Sequence, residues 1–254
     1  MDIKMIITDL DSTLLRSDKT ISDYTADILR RCRDKGLKLV FATARPKRTV
    51  VRFLGNIETD ALIVHNGAVI QAGDKVLDRN GIAIETKTRI LQAISRDYPS
   101  ATISVEIDDL NFSNFDMKLE WAYDEGVITD FTDLPDKPAD KIAVGVSSHD
   151  EIAKFAAYLP DDLYIQMCDG RLGLIMHKNA TKMAGIENVC RHFGISISQT
   201  VAFGDDYNDI TMLKSCGVGV AVDNAIDEAK AAADFICAAN DDDGVAKWLE
   251  SSLL

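Results

Sequence analysis

The five cysteines, Cys32, Cys168, Cys190, Cys216 and Cys237, are odd in number and scattered, and no two form a CxxC pair. That argues against a disulfide frame or a cysteine zinc site and reads as reduced, mostly buried thiols. Histidine is scarce as well: His65, His149, His177 and His192 show no HxxxH spacing, which speaks against a histidine-bound zinc. No apolar run approaches the roughly 20 residues of a membrane span. Met1-Asp2 leads into an apolar stretch without the basic-then-apolar order of a signal peptide. A soluble, cytoplasmic protein is expected. Positive charge is in short supply, with 28 Lys and Arg against 41 Asp and Glu and a formal net charge of -13. Such a chain is repelled by nucleic acid and by anionic lipid, so neither is expected as a partner. An anionic ligand must then be received by a bound metal or by a few aimed cations. There is no GxxxxGK[ST] loop, and Gly217-Val218-Gly219 lacks the third glycine of a dinucleotide fingerprint.

What is present is enough for a real core: 254 residues, 46% hydrophobic. Residues 5–7 form a brief β-type run ending in Thr8-Asp9. Residues 22–35 have helical spacing, with Ser22 as N-cap and Gly36 as the stop. Residues 37–42 read as a strand, Pro46 opens a second helix, and residues 61–64 read as a third strand. The rhythm returns after residue 180, with helices at 181–192, 208–214, 224–233 and from Gly244. Strands alternate with them at 200–203, 218–222 and 235–237. Strand–helix alternation with buried-looking strands implies a parallel, doubly wound sheet with helices on both faces. The middle differs, with helices at 88–97 and 150–159 among strands at 101–107, 110–115, 142–147, 163–167 and 172–176. That is an α+β pattern, inserted as residues 83–177 between the core halves 1–82 and 178–254.

Three polar clusters stand at strand ends. They are Thr8-Asp9-Leu10-Asp11-Ser12-Thr13, Thr43-Ala44-Arg45, and Gly204-Asp205-Asp206-Tyr207-Asn208-Asp209. Ligands of an open parallel sheet bind outside the carboxyl ends of its strands, so all three fall on one edge. Asp9, Asp11, Asp205 and Asp209 crowd carboxylates there, and without a counterion each would raise the others' pKa. A hard divalent cation resolves this, and Mg²⁺ suits the oxygen donors best. Lys182, at a helix start, adds a fixed positive charge, and Thr43 a hydroxyl donor. Those parts meet the needs of phosphoryl transfer.

These segments, with Leu14-Leu15, Met212-Leu213, His65-Asn66-Gly67-Ala68 and the tail from Val222-Asp223-Asn224-Ala225 to Asp243-Gly244-Val245-Ala246, resemble the ordered motifs of the haloacid dehalogenase-like hydrolases. The likeness extends to the Cof-type branch, with its α/β cap between the second and third motifs. It implies a Rossmann-like core with an inserted cap, and a Mg²⁺-dependent phosphatase acting on small phosphorylated metabolites, typically sugar phosphates. It implies Asp9 as nucleophile and metal ligand, and Asp11 as general acid then base, with its backbone carbonyl on the metal. Thr43 and Lys182 would hold the phosphoryl oxygens. Asp205 would complete the metal site and Asp209 support the metal's water shell. Asn208, Thr43-Ala44-Arg45 and Asn66 would line the phosphate and substrate pocket. A monomer or weak homodimer is expected.

Three positions depart from the pattern: Ser12 and Ala44 replace family glycines, and Met183 follows Lys182 where glycine is common. Each adds a side chain near backbone that approaches phosphate, and none removes a reacting group. A calcium loop starting at Asp9 fails, since Leu14 and Thr20 stand where glycine and glutamate are needed. Lys178 is a rival for the role of Lys182. Trp121, Tyr123 and Phe131 read as packing, and Asp241-Asp242-Asp243 as a helix N-terminal cluster. A phosphomutase using the same intermediate and a phosphate-binding regulatory module without turnover are the alternatives. Carbon–halogen hydrolysis is disfavoured by Asp11, since an alkoxide leaving group needs an acid and a halide does not.

Overall fold

The computed structural model describes residues 2–121, 126–168 and 170–254, so Tyr123 and the side chain of His149 lie outside it. The chain forms two compact units, one of Met1–Arg79 with Thr181–Leu254, the other Asn80–Ala180. The first opens with β1 (Met5–Thr8), α1 (Asp23–Asp34), β2 (Lys38–Ala42), α2 (Lys47–Leu54), β3 (Ala61–Val64), β4 (Val69–Ala72) and β5 (Lys75–Arg79). The second holds α3 (Ile84–Asp97), β6 (Ile103–Ile107), β7 (Leu110–Ser113), α4 (Met117–Glu120) and β8 (Val127–Ile128). It continues with β9 (Lys141–Gly145), α5 (His149–Ala156), β10 (Leu163–Cys168) and β11 (Leu172–His177). The chain then returns to the first unit with α6 (Lys182–Phe193), β12 (Thr200–Gly204), α7 (Ile210–Ser215) and β13 (Val218–Val222). α8 (Asp227–Ala232), β14 (Phe235–Cys237) and α9 (Gly244–Leu253) complete it.

The first unit's sheet runs β14-β13-β12-β1-β2-β3-β4-β5. Its strands are parallel from β14 to β3. Burial on both faces explains why β1 is apolar without alternation. Ile6 packs with Ile28 and Leu29 of α1 and Val245 and Leu249 of α9. Met5 and Ile7 belong to the opposite cluster with Met183, Ile186 and Val189 of α6. Strand order reverses beside β1, because β2 and β3 continue to one side and β12 to β14 to the other. Such a reversal opens a crevice at the strands' carboxyl ends.

α1 is capped as its sequence suggests: the Ser22 side chain accepts from the Thr25 N–H, and Gly36 takes φ 87°. The hairpin β4–β5, antiparallel to its neighbours, extends the sheet beyond the strands expected. α8 begins three residues later than expected. Its forerunner Asn224 lies in a turn and spends its side chain on tertiary bonds. The segment 207–209 makes a 3₁₀ turn before α7.

The second unit's sheet runs β10-β11-β9-β6-β7-β8, antiparallel except for β7–β8. Period-2 alternation sorts its faces. Ile103, Val105 and Ile107 pack with Ile90, Leu91 and Ile94 of α3. Ser104, Glu106 and Asn111 alternate with those residues, and Asn111 Nδ2 donates to Glu106 Oε1 at 2.9 Å. α3 starts four residues before the expected helix. Its first turn buries Lys87, whose Nζ donates to the carbonyls of Pro135 and Lys137 at 2.9 Å. Trp121 packs with Phe115, and Phe131 against the main cluster of this unit. All five cysteines are free. Among the described residues, no helix is long and apolar enough to cross a membrane.

Candidate active site

Register brings the polar clusters level. β1 pairs with both β2 and β12, so Thr8 stands opposite Phe41 on one side and Phe203 on the other. The residues just past those positions reach one edge, and the Asp9 N–H donates to the Phe203 carbonyl at 3.0 Å. Carboxylate oxygens of Asp9, Asp205 and Asp209 there lie within 4.8 Å of one another.

Lys182 is the cation that meets them. Its Nζ lies 2.8 Å from Asp9 Oδ1 and donates to Asp209 Oδ1 at 2.7 Å. Lys182 is 2% exposed, Asp9 6% and Asp209 0%, so charge here is offset by mutual pairing and not by water. Burial works against the Lys182 ammonium, but Asp209 and Asp9 outweigh it and raise its pKa. The rival Lys178 is exposed and belongs to the other unit.

Asp209 is fully engaged. Beside the Lys182 bond, its Oδ2 accepts from the N–H groups of Asp205 and Asp206 at 3.0 and 3.2 Å. Gly204 makes this fit possible, since a Cβ there would lie 2.5 Å from Asp209 Cβ. Asp205 Oδ1 accepts the Thr13 hydroxyl at 2.5 Å. Asp206 caps its turn through the Tyr207 N–H at 2.7 Å.

Three carboxylates face one lysine, which leaves negative charge unbalanced. Burial, then the charges of Asp209 and Asp205, push Asp9 up to about 8 against the pull of Lys182. Burial, with Asp209 adding to it, pushes Asp205 up to about 6 although Thr13 opposes. Hard oxygen donors with excess negative charge are what a small divalent cation requires. The donor set therefore fits Mg²⁺.

Asp11 is held apart from that group. Arg45 grips it with two nitrogens, Nη2 to Oδ1 at 2.7 Å and Nε to Oδ2, and Lys19 Nζ adds a bond to Oδ1 at 2.8 Å. Burial would raise the Asp11 pKa, but these two cations outweigh it and hold the carboxyl below its usual range. The Arg45 guanidinium also stacks 4.6 Å above the Phe53 ring.

The remaining expected residues are joined by hydrogen bonds. The Arg45 N–H donates to Thr43 Oγ1 at 3.2 Å, the Asn66 N–H to the Thr43 carbonyl at 2.9 Å, and Asn208 Nδ2 to Asn66 Oδ1 at 3.0 Å. Ala44 lies between Thr43 and Arg45 in the same loop. Gly67, at φ 101°, sits so close to the N-cap of α6 that a Cβ would lie 2.2 Å from the Thr181 carbonyl oxygen. Residues 65–67 thus brace the helix start that carries Lys182.

Two contacts at the site had no assigned role in the sequence. Thr13, the last residue of the DxDxT run, bonds Asp205; the run itself was the signal. Lys19 bonds Asp11 from an exposed turn, and nothing in its spacing marks it. Asp241 and Asp243 stand just before α9, as expected of a helix N-terminal cluster, and they also make tertiary bonds. Asp241 accepts from the N–H and hydroxyl of Ser17, and Asp243 from Arg16, Ser22 and Thr25.

Comparison with known proteins identifies the family. The family model of the haloacid dehalogenase-like hydrolases matches residues 6–249. The chain is 30% identical over 261 residues to the 5-amino-6-(5-phospho-D-ribitylamino)uracil phosphatase YitU of Bacillus subtilis, covering 97% of this chain and 96% of that one. Its fold is similar to that of the HAD subclass IIB sugar phosphatase BT4131, with a TM-score of 0.83, 25% identity and 98% of each chain covered. It is also similar to TM0651 from Thermotoga maritima, with a TM-score of 0.88 at 22% identity over 99% of this chain and 98% of that one. The chain belongs to the haloacid dehalogenase-like hydrolases and is a phosphatase of their Cof-type branch, with a Rossmann-like core.

Proposed function

We propose that this phosphatase requires Mg²⁺ and hydrolyses phosphate monoesters of small metabolites, sugar phosphates foremost, through a phosphorylated Asp9. The observation that carries the proposal is the buried Asp9 carboxylate held by Lys182 beside Asp205 and Asp209. In the first step an Asp9 oxygen attacks phosphorus, the ester P–O bond breaks, and the departing alkoxide takes a proton from Asp11. In the second, Asp11 accepts a proton from water, which attacks the same phosphorus, frees inorganic phosphate and restores the Asp9 carboxylate. Lys182 and Thr43 hold the phosphoryl oxygens, and Asn208 with Asn66 borders them. Asp9, Asp205 and the Asp11 backbone carbonyl would hold the metal, with Asp209 keeping Lys182 and the 205–206 backbone in place. Bound there, Mg²⁺ neutralises the charge that develops on the transferring phosphoryl group.

The Arg45 and Lys19 contacts favour the ionised Asp11 that the second step needs. For the first step, the substrate's own anionic phosphate draws those cations off and lets Asp11 take up its proton. We assign residues 83–177 the selection of the substrate. The relatives named as a sugar phosphatase and as acting on a 5-phospho-D-ribitylamino uracil support the substrate class.

The test is phosphate release from a panel of phosphorylated metabolites, with Mg²⁺ and with a chelator. Activity is expected on sugar phosphates, lost in chelator, and absent in Asp9→Asn with an unchanged circular dichroism spectrum. Undiminished turnover in chelator or in Asp9→Asn overturns the mechanism.

A further inference from the structure

Asp11 is followed by Ser12 at φ 57°, a left-handed conformation in which a Cβ is penalised and glycine is not. Something must hold that peptide. The turn between β13 and α8 reaches it: Asn224 Nδ2 donates to the Ser12 carbonyl at 2.7 Å. The other end of the same amide is also occupied, because Asn224 Oδ1 accepts from the Asn240 N–H at 2.9 Å. Asn240 in turn donates its side-chain Nδ2 to the Leu15 carbonyl at 2.9 Å, securing the far end of the Asp9 loop. Two residues past Asn224, the Ile226 N–H donates to the Asp205 carbonyl at 2.9 Å. One turn is therefore tied to both loops that carry the site's carboxylates. An amide bonded at both ends is fixed in rotation as well as in position.

We propose that Asn224 is a positioning residue: it holds the Ser12 peptide in its left-handed conformation and thereby sets where Asp11 points. This rests on the reading of Asp9 and Asp11 given above. With the tether cut, the Ser12 peptide relaxes toward an ordinary φ and carries Asp11 with it. The step that suffers most is protonation of a poor leaving group. An aryl phosphate, whose phenolate departs with less help, suffers less.

The experiment measures kcat and KM for Asn224→Ala and Asn224→Asp, each alone and combined with Ser12→Gly, on a sugar phosphate and on an aryl phosphate. Asn224→Asp keeps the shape but loses the donor, so it reports even if the alanine variant fails to fold. On the sugar phosphate, kcat is expected to fall roughly tenfold to a hundredfold, the scale of a small misplacement of a reacting group. KM should stay nearly constant and the aryl phosphate lose far less. Ser12→Gly should recover most of the loss, because glycine adopts the same φ without the Cβ penalty that the tether offsets. Wild-type kcat on the sugar phosphate in both Asn224 variants overturns the proposal. So does an equal loss on both substrates that Ser12→Gly leaves unrelieved, which marks a merely structural role. Wild-type and Asp9→Asn enzyme in the same assay keep the underlying reading separate, since Asp9-independent turnover sinks both while Asp9-dependent turnover with silent Asn224 variants sinks only this one.

Discussion

Removing or adding Mg²⁺ across a range of pH should change stability in a way set by Asp9 and Asp205. An unfolded aspartate loses its proton near 3.8, whereas burial and neighbouring carboxylates hold the proton on Asp9 up to about 8 and on Asp205 up to about 6. Between the unfolded and folded values the native state binds more protons than the unfolded chain, so stability falls as pH rises through that window. For Asp9 the step from pH 6 to pH 8 is worth about 2 kcal/mol, because the slope of about 1.36 kcal/mol per unit halves as pH reaches the folded value. The metal-free protein should accordingly melt several degrees lower at pH 8 than at pH 6.

Mg²⁺ bound at Asp9, as proposed, would have to displace that proton. At pH 8, metal at about a hundred times its Kd adds about 2.7 kcal/mol, which in a chain of this size raises Tm by roughly 5–10 °C. At pH 6 proton competition at Asp9 should weaken binding about fiftyfold relative to pH 8, so the same metal concentration is about twice Kd and adds only about 0.6 kcal/mol. Differential scanning calorimetry with chelator or Mg²⁺ at the two pH values reads this directly. Asp205→Asn should remove the metal's contribution at pH 8. An equal Mg²⁺ shift at both pH values, or a metal-free protein more stable at pH 8, refutes the reasoning.

Other perturbations test separate parts of the site. Asp11→Asn is expected to cost about two to four decades in kcat on sugar phosphates, the usual worth of positioned acid–base catalysis, measured by phosphate release. Lys182→Met leaves Asp9 and Asp209 buried without their cation. It should lower stability by about 3–5 kcal/mol in chemical denaturation and abolish turnover. Gly67→Ala drives a methyl group onto the Thr181 carbonyl, 2.2 Å away, in a left-handed conformation. It should destabilise by about 1–3 kcal/mol and lower kcat through the displaced start of α6, seen in thermal melts and initial rates.

The carboxylate-lined edge was legible because it depends on order along the chain. Apolar runs such as residues 5–7, 61–64 and 200–203 end in polar clusters, and a parallel sheet must collect its strand ends on one side. What stayed hidden depends on side chains meeting across that edge. The β4–β5 hairpin has only four or five residues per strand, and β5 alternates weakly because four of its five residues are exposed. Asn224 was expected to open a helix that in fact begins at Asp227. Its amide is instead taken by Ser12 and Asn240, sixteen residues or more away in sequence. Lys19 carries no periodicity, and its contact with Asp11 exists only because the chain turns back on itself.

The pairing of Asp11 with Arg45 and Lys19 bears on how such a site separates its two carboxylates. Asp9 sits among acids in a dry environment that disfavours its charge despite Lys182, whereas Asp11 is bonded by two cations that favour its charge. Residues two positions apart in one loop are thus driven to opposite protonation states by their neighbours. The intervening Leu10 is fully buried, and Asp9 and Asp11 on either side of it bond to different cations. On the function proposed above, a nucleophile that ionises when metal binds and an acid–base group already poised as a base would follow from that divergence.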